Sequence, residues 1–292
     1  MLTRSARRSA RVSTRPRASA HVTPWERGKL VALFIEVVAA CLVLLLGLGL
    51  SIYYTVRTRH EGAASEQGTL GARPEAASSG STTAQPDSQQ HAQDLLAEQP
   101  MPNVGVDAAQ ASTVSSRDPG TIQVPASTGT GPAGVRTGFP HTPAGALAQL
   151  AAIDKTAMQS GTLAGVRAVI AGWAAPGGPN QDTWSAVGAM ASFLNGAGLS
   201  GGGSGQLALV VTPLMGLIKG TVGPDFVLPC VDFQFDATLQ TTQHVASADC
   251  QRMVWEGDRW AIGPGAEPAD PPSVWADTDT AIAVGYKDLR NA

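Results

Sequence analysis

One apolar run constrains this chain more than any other feature: Leu30 to Tyr54, LVALFIEVVAACLVLLLGLGLSIYY, carries a single charge, Glu36. A hydrocarbon core of roughly 30 Å takes about 20 mainly apolar residues as helix, so the run is long enough to span a membrane. Glu36, about two turns in, costs about 2–3 kcal/mol at the bilayer centre on insertion scales and less nearer the interface. The run exceeds the roughly 7–15-residue apolar core of a cleaved secretory signal. Val38-Ala39-Ala40-Cys41 has the outline of a lipidation box, yet the most apolar part, Leu42 to Leu50, follows the cysteine, where a lipoprotein turns polar. Arg4, Arg7, Arg8, Arg11, Arg15, Arg17, Arg27 and Lys29 precede the run against one acid, Glu26, and only Arg57 and Arg59 follow it before acids appear. The positive-inside rule then predicts a cytoplasmic N-terminus and an extracytoplasmic remainder.

Composition divides the remainder of the chain. No Phe, Tyr or Trp occurs between Tyr54 and Phe139, and the text there is mostly Ala, Ser, Gly, Thr, Gln and Pro. Such a stretch buries too little apolar area to offset its ordering entropy, so it predicts a flexible linker with one weak helical patch at Gln93 to Glu98. The expected organisation is a basic cytoplasmic tail (1–29), a transmembrane helix (30–54), a flexible linker (55–137) and one folded extracytoplasmic domain (138–292). The overall charge of −3 conceals a partition: the tail has eight basic residues and one acid, a net +7, whereas Gly138 to Ala292 has seven basic residues and thirteen acids, a net −6. The tail suits anionic lipid headgroups. The acidic outer domain is a poor nucleic-acid binder, because phosphates are held by Lys and Arg.

Cys41 lies in the apolar run, and Cys230 and Cys250 lie in the outer domain. An extracytoplasmic pair is a disulfide candidate. The two bracket a predicted hairpin whose turn is Gln240-Thr241-Thr242-Gln243, which sets them opposite one another on antiparallel strands, within disulfide range.

The folded region opens with helical signals. Thr142 is a predicted N-cap, Pro143 takes the first helical position, and Ala144, Leu147, Leu150, Ala151 and Met158 recur at turn spacing up to Gly161. A second helix is expected over Leu163 to Ala175 and a third from Asn180 or Asp182 to Gly196. After the glycine-rich Gly196 to Gly205, Gln206 to Thr212 reads as a short strand and Pro213 to Thr221 as a helix-like or irregular crossing. A long strand is expected from Phe226 to about Gln240, with Val227, Val231, Phe233, Phe235, Ala237 and Leu239 on a core face and Asp232, Gln234, Asp236 and Thr238 on a face toward water or a partner. His244 to Trp255 and Arg259 to Ile262, joined by a Glu256-Gly257-Asp258 turn, complete an antiparallel meander. Pro264, Pro268, Pro271 and Pro272 end the sheet, Trp275 anchors the segment, and Asp277 or Thr278 caps a final helix through Tyr286 to Leu289. The fold class is α+β: about three helices on one face of a curved antiparallel sheet, closed by a C-terminal helix.

This order, with the Trp255-Glu256-Gly257-Asp258-Arg259-Trp260 hairpin near its end, resembles the cone-shaped nuclear-transport-factor-two-like fold. With a short basic tail, one span and a linker, it resembles the bitopic scaffold proteins of conjugation and type IV secretion machines, particularly those of Gram-positive mobile elements. Gly138-Phe139-Pro140-His141-Thr142-Pro143-Ala144-Gly145-Ala146 is similar to a segment of actinobacterial membrane proteins encoded beside conjugative genes. The resemblance implies a non-enzymatic assembly component of the cell membrane, with other transfer-channel subunits or copies of itself as partners, and brings no catalytic residues. The long linker and the cysteine pair depart from the pattern.

The chemistry of the residues agrees with that expectation. His21, His60, His91, His141 and His244 are scattered, and no HExxH, CxxC, GxSxG or phosphate-loop sequence occurs, so no cofactor, metal or catalytic residue is expected. The weak alternative is a surface-tethered ligand-binding or enzymatic cone whose pocket acids are Asp232, Asp236 and Asp249. Asp232 and Asp236 lie about 13 Å apart along one strand face, Asp249 on the next strand could approach one of them, and His244 could join an Asp/His couple of the kind enzymes on this fold use. The face assignment, however, makes these acids solvated. Trp173, Trp184, Trp255, Trp260 and Trp275 read as core rather than pocket. Leu214, Met215, Leu217 and Ile218 read equally as a subunit interface or an inner crossing.

Overall fold

The computed structural model describes residues 84–292. The basic tail, the expected span at Leu30 to Tyr54 and the first part of the expected linker lie outside the described residues. Among the described residues no helix is long and apolar enough to cross a membrane.

Thr142 caps helix α2 (Pro143–Gln159), its hydroxyl accepting from the Gly145 amide. A Cβ at Gly145 would lie 1.9 Å from the Pro140 carbonyl oxygen, so the preceding loop folds back onto the helix only because that residue is glycine. The same Pro140 carbonyl accepts from the indole of the buried Trp260. Helices α3 (Leu163–Trp173) and α4 (Ser185–Gly196) follow, the first capped by Thr162 and the second starting a few residues later than its sequence predicts. Asn180 instead organises the turn before α4, its side chain accepting from the amides of Asp182 and Thr183.

A seven-stranded sheet receives these helices. Its strands are β1 (Thr121–Val124), β4 (Ala208–Thr221), β5 (Phe226–Thr238), β6 (Thr242–Cys250), β7 (Met253–Glu256), β8 (Arg259–Ile262) and β9 (Lys287–Asn291). The order is β1-β9-β4-β5-β7-β8, with β6 also paired to β5. β2 (Gly129–Thr130) and β3 (Arg136–Thr137) form a separate ribbon. β6 and β7 keep one register on β5 and are interrupted only at Gln251 and Arg252, so the single strand expected from His244 to Trp255 is nearly continuous.

Four expectations are corrected. The segment from Pro213 to Thr221 is not a crossing: β4 runs through it, paired to β5 with register shifts at Pro213/Met215 and Ile218/Gly220. Bulges accommodate Pro213 and the glycines and bend the strand, which is why the sequence reads as broken there. Met215 is fully buried, and Leu214, Leu217 and Ile218 are partly buried against this chain's own core. Second, the expected linker is ordered from 84 onward. It carries α1 (Ala84–Glu98), a 3-10 turn (Val106–Ala109) and β1, which pairs in parallel with β9. Third, the final helix is short: α5 (Asp279–Val284), capped by Thr278, gives way at Gly285 to β9. The sheet therefore has one parallel edge pair rather than being wholly antiparallel. Fourth, Val274 rather than Trp275 is the fully buried anchor of the proline-rich segment.

The sheet is covered on both sides near its centre. On the helix side the main core joins Leu147, Leu150, Ile153, Ile170, Trp173 and Met190 to Val211, Val227, Val231, Phe233 and Trp260. On the other side Met215, the two cysteines, Val274, Ala281 and Tyr286 form a second cluster, and Ala97, Phe226 and Leu228 a third. Trp173, Trp184 and Trp260 are core residues, as read from the sequence. The result is a mixed α+β domain with a curled sheet and several helices.

Candidate functional site

β5 and β6 form the hairpin that the cysteine spacing implied. Cys230 pairs with Cys250 in the register, and the two are joined by a disulfide across Cα atoms 4.1 Å apart. The Gln251 amide donates to the Pro229 carbonyl, so odd-numbered β6 residues bond to β5 and even-numbered ones face it without ladder bonds. Opposed side chains come closest at such non-bonded pairs, which explains both the disulfide and the contact of His244 with Asp236, Nδ1 to Oδ1 2.6 Å. That contact and the amide of Gln234 hold the Asp236 carboxyl below the usual carboxylate range. The pair is exposed, with His244 half open to water, and Asp236 does not line the cavity beside α2.

The three acids singled out in the sequence do not converge. Asp232 opposes Ala248, and Asp249 opposes Val231, so strand alternation puts Asp232 and Asp249 on opposite faces of the sheet. Asp232 is not solvated: it is 1% exposed, one oxygen accepting from the Val274 amide at 3.4 Å and the other without a partner. Burial pushes its pKa up to about 8, and the nearby Tyr286 hydroxyl, also buried, is pushed up as well. The alternation rule assumed an open second face, whereas α5 and the 264–278 segment cover it.

On the helix face, Asp249 meets a residue that carries no motif in the sequence and was not among the expected acids. Asp154 lies in the middle of α2, on the stripe that includes Leu147, Leu150 and Met158, and is 4% exposed with neither carboxylate oxygen partnered. The signal was present: a charge four residues after Leu150 and four before Met158 interrupts an apolar face at core spacing. The two acids share a cavity of about 300 Å³ between α2, the start of α4 and the β5–β6 hairpin. Phe233, Phe235 and Met158 supply its apolar wall, and Asp270 and Ser273 close one side. Burial first, then the charges of Asp249 and Glu267, raise Asp154 well above the usual range. Burial raises Asp249 to about 7 against hydrogen bonds from Gln251, with Glu267 and Asp270 adding to the rise. Among the described residues no basic side chain lines the cavity, and no three His, Cys, Asp or Glu side chains converge as a metal site would require.

His141 is held elsewhere, stacked on Trp255 with ring centroids 4.3 Å apart and paired with Asp225 at 2.9 Å. It closes the loop before α2 onto the β7–β8 hairpin, linking two segments that carried the family resemblance. Compared with known proteins, the chain matches no protein family, no curated protein and no solved structure.

Proposed function

We propose that this chain is a membrane-tethered, extracytoplasmic assembly module, a non-enzymatic scaffold component of a conjugative, type IV secretion-like machine, with a cone of the nuclear-transport-factor-two-like kind. The apolar run supports the tether, and the disulfide supports an oxidising compartment. The observation that carries the reading is the free edge of β6. Among the described residues this strand pairs only with β5. The Ala248 amide points away from β5 but donates to Ser273, and Ala246 is buried, so the open part of the edge is Thr242 to Val245, where alternation aims the His244 amide outward. From Thr242 to Ser247 no Lys, Glu, Asp or Pro guards that edge, although exposed edges are ordinarily blunted by such residues. An unguarded edge stapled at its base by a disulfide is suited to strand addition by a channel subunit or a second copy, and tethering raises the effective concentration of weak partners.

The test is in-cell crosslinking of tagged full-length protein, with identification of what copurifies from the membrane. Recovery of channel subunits or of the chain itself, reduced by His244→Pro, which removes an outward amide and spares the β5 ladder, is the expected result. A protein that crosslinks to nothing, or whose partners are indifferent to that substitution, would sink the edge as the assembly surface.

A further inference from the structure

The buried, unpartnered carboxyl of Asp154 has no role in strand addition. A polar group withdrawn from water without a hydrogen bond is costly, yet α2 places this one against a cavity rather than against packed side chains. The cavity's volume, about 300 Å³, sits at the lower end of small-ligand sites. One end offers the Asp154 and Asp249 carboxyls, and the wall is aromatic and thioether, from Phe233, Phe235 and Met158. We propose that this cavity binds a small organic amine, its ammonium group seated at Asp154 and Asp249 and its apolar body against Phe233, Phe235 and Met158.

Each part of the lining selects for such a ligand. The charges acting on Asp154 come from Asp249 on β6 and Glu267 after β8, both acidic, and Asp270 completes the acidic rim. Among the described residues no cation lines the cavity, so a cationic ligand meets no competing positive charge there. Phe233, Phe235 and Met158 give the ligand's apolar body a surface to bury. The ligand's positive charge favours the ionised carboxyls, so binding releases protons from Asp154 and Asp249. Affinity therefore rises from pH 6 to pH 8, across the range in which Asp249 titrates. Asp232 and Tyr286 lie beyond the sheet and do not line the cavity.

The experiment is calorimetric titration of the full-length chain with phenethylamine, benzylamine and tyramine, and with 2-phenylethanol as the neutral comparison. The amines are expected to bind at least about tenfold more tightly than the alcohol, with a heat that depends on the buffer's ionisation enthalpy because protons are released. Asp154→Asn should lower amine affinity at least about tenfold and leave the alcohol unaffected. Should that variant fail to fold, Asp249→Asn carries the same expectation. Amines that bind no better than 2-phenylethanol, or an affinity indifferent to both substitutions, would overturn the proposal. The readout is independent of crosslinking, so failure here leaves the assembly reading standing, and the reverse.

Discussion

The two faces of β5 are built in different ways. On the helix face, Val227, Val231 and Phe233 pack against regular helices between Pro143 and Gly196, with strong caps and turn-spaced apolar residues. On the other face, Cys230 and Asp232 are covered by chain from both ends of the described region: the 3-10 turn at Val106–Ala109, the proline-rich segment and α5. From Phe226 to Phe233 every residue is consequently buried, although the strand alternates apolar and polar toward its end. The helix face is held by periodic packing. The outer cover is held by a smaller apolar cluster around Met215, Val274 and Tyr286 and by contacts between residues distant in sequence, such as the buried Arg252 to Asp94 at 2.7 Å. A polar-looking, irregular segment can therefore complete a core when a few side chains pin it.

The contrast predicts unequal damage. Trp260→Ala, on the helix face, removes a fully buried ring and its bond to Pro140, and should cost about 4 kcal/mol, read from the denaturant midpoint. A loss below about 1 kcal/mol would contradict the helix-face core. Replacing Cys230 and Cys250 together by Ser should cost about 3 kcal/mol, the loop-closure value for a link spanning 20 residues, and reductant should destabilise the native chain by as much and leave the double variant unchanged.

Asp232 tests the outer cover through pH. It ionises at about pH 8 when folded and at about pH 4 when unfolded. Between those values the unfolded chain holds fewer protons, so stability falls as pH rises, by at most about 1.4 kcal/mol per pH unit for each such group. Asp154 and Asp249, also raised, act in the same direction. The melting temperature should therefore drop from pH 5 to pH 8, and Asp232→Asn should flatten the profile, adding at least about 1 kcal/mol at pH 8 and little at pH 5. Parallel profiles would mean that the carboxyl is not buried behind Val274. The smallest effect is expected from Arg252→Gln, which breaks the tether to α1 and the packing on Phe226. About 1–2 kcal/mol should be lost, low for a buried charge because Asp94 is 41% exposed, with faster proteolysis within Ala84–Glu98 as the local signature.

Sequence alone identified α2 and its cap, the start of α3, the extent of β8, the β5–β6 hairpin and its disulfide, because each depends on periodicity, capping or a turn within about twenty residues. Arg117, Lys219 and Asp94 carry no local signal in the sequence, for the opposite reason. The Lys219 ammonium caps the carbonyls of Ala97 and Gln99, more than a hundred residues away in sequence, and no local pattern encodes that. The strand hidden in Pro213 to Thr221 was obscured by its two bulges and by Gly216 between them, a regularly paired residue where α2, β9 and β5 converge closely: a Cβ there would lie 3.0 Å from both Leu147 and Leu289.

The candidate cavity divides along the same line. Asp154 interrupts the apolar stripe of α2, a signal present in the sequence though not among its expected acids, whereas Asp249, expected beside Asp232 or Asp236, owes its face to the register of β6 on β5. That both faces meet, and that Asp232 is sealed on the other side, was decided by tertiary packing. Dihedral preference and side-chain period act along the chain, whereas burial depends on which distant segment happens to lie above.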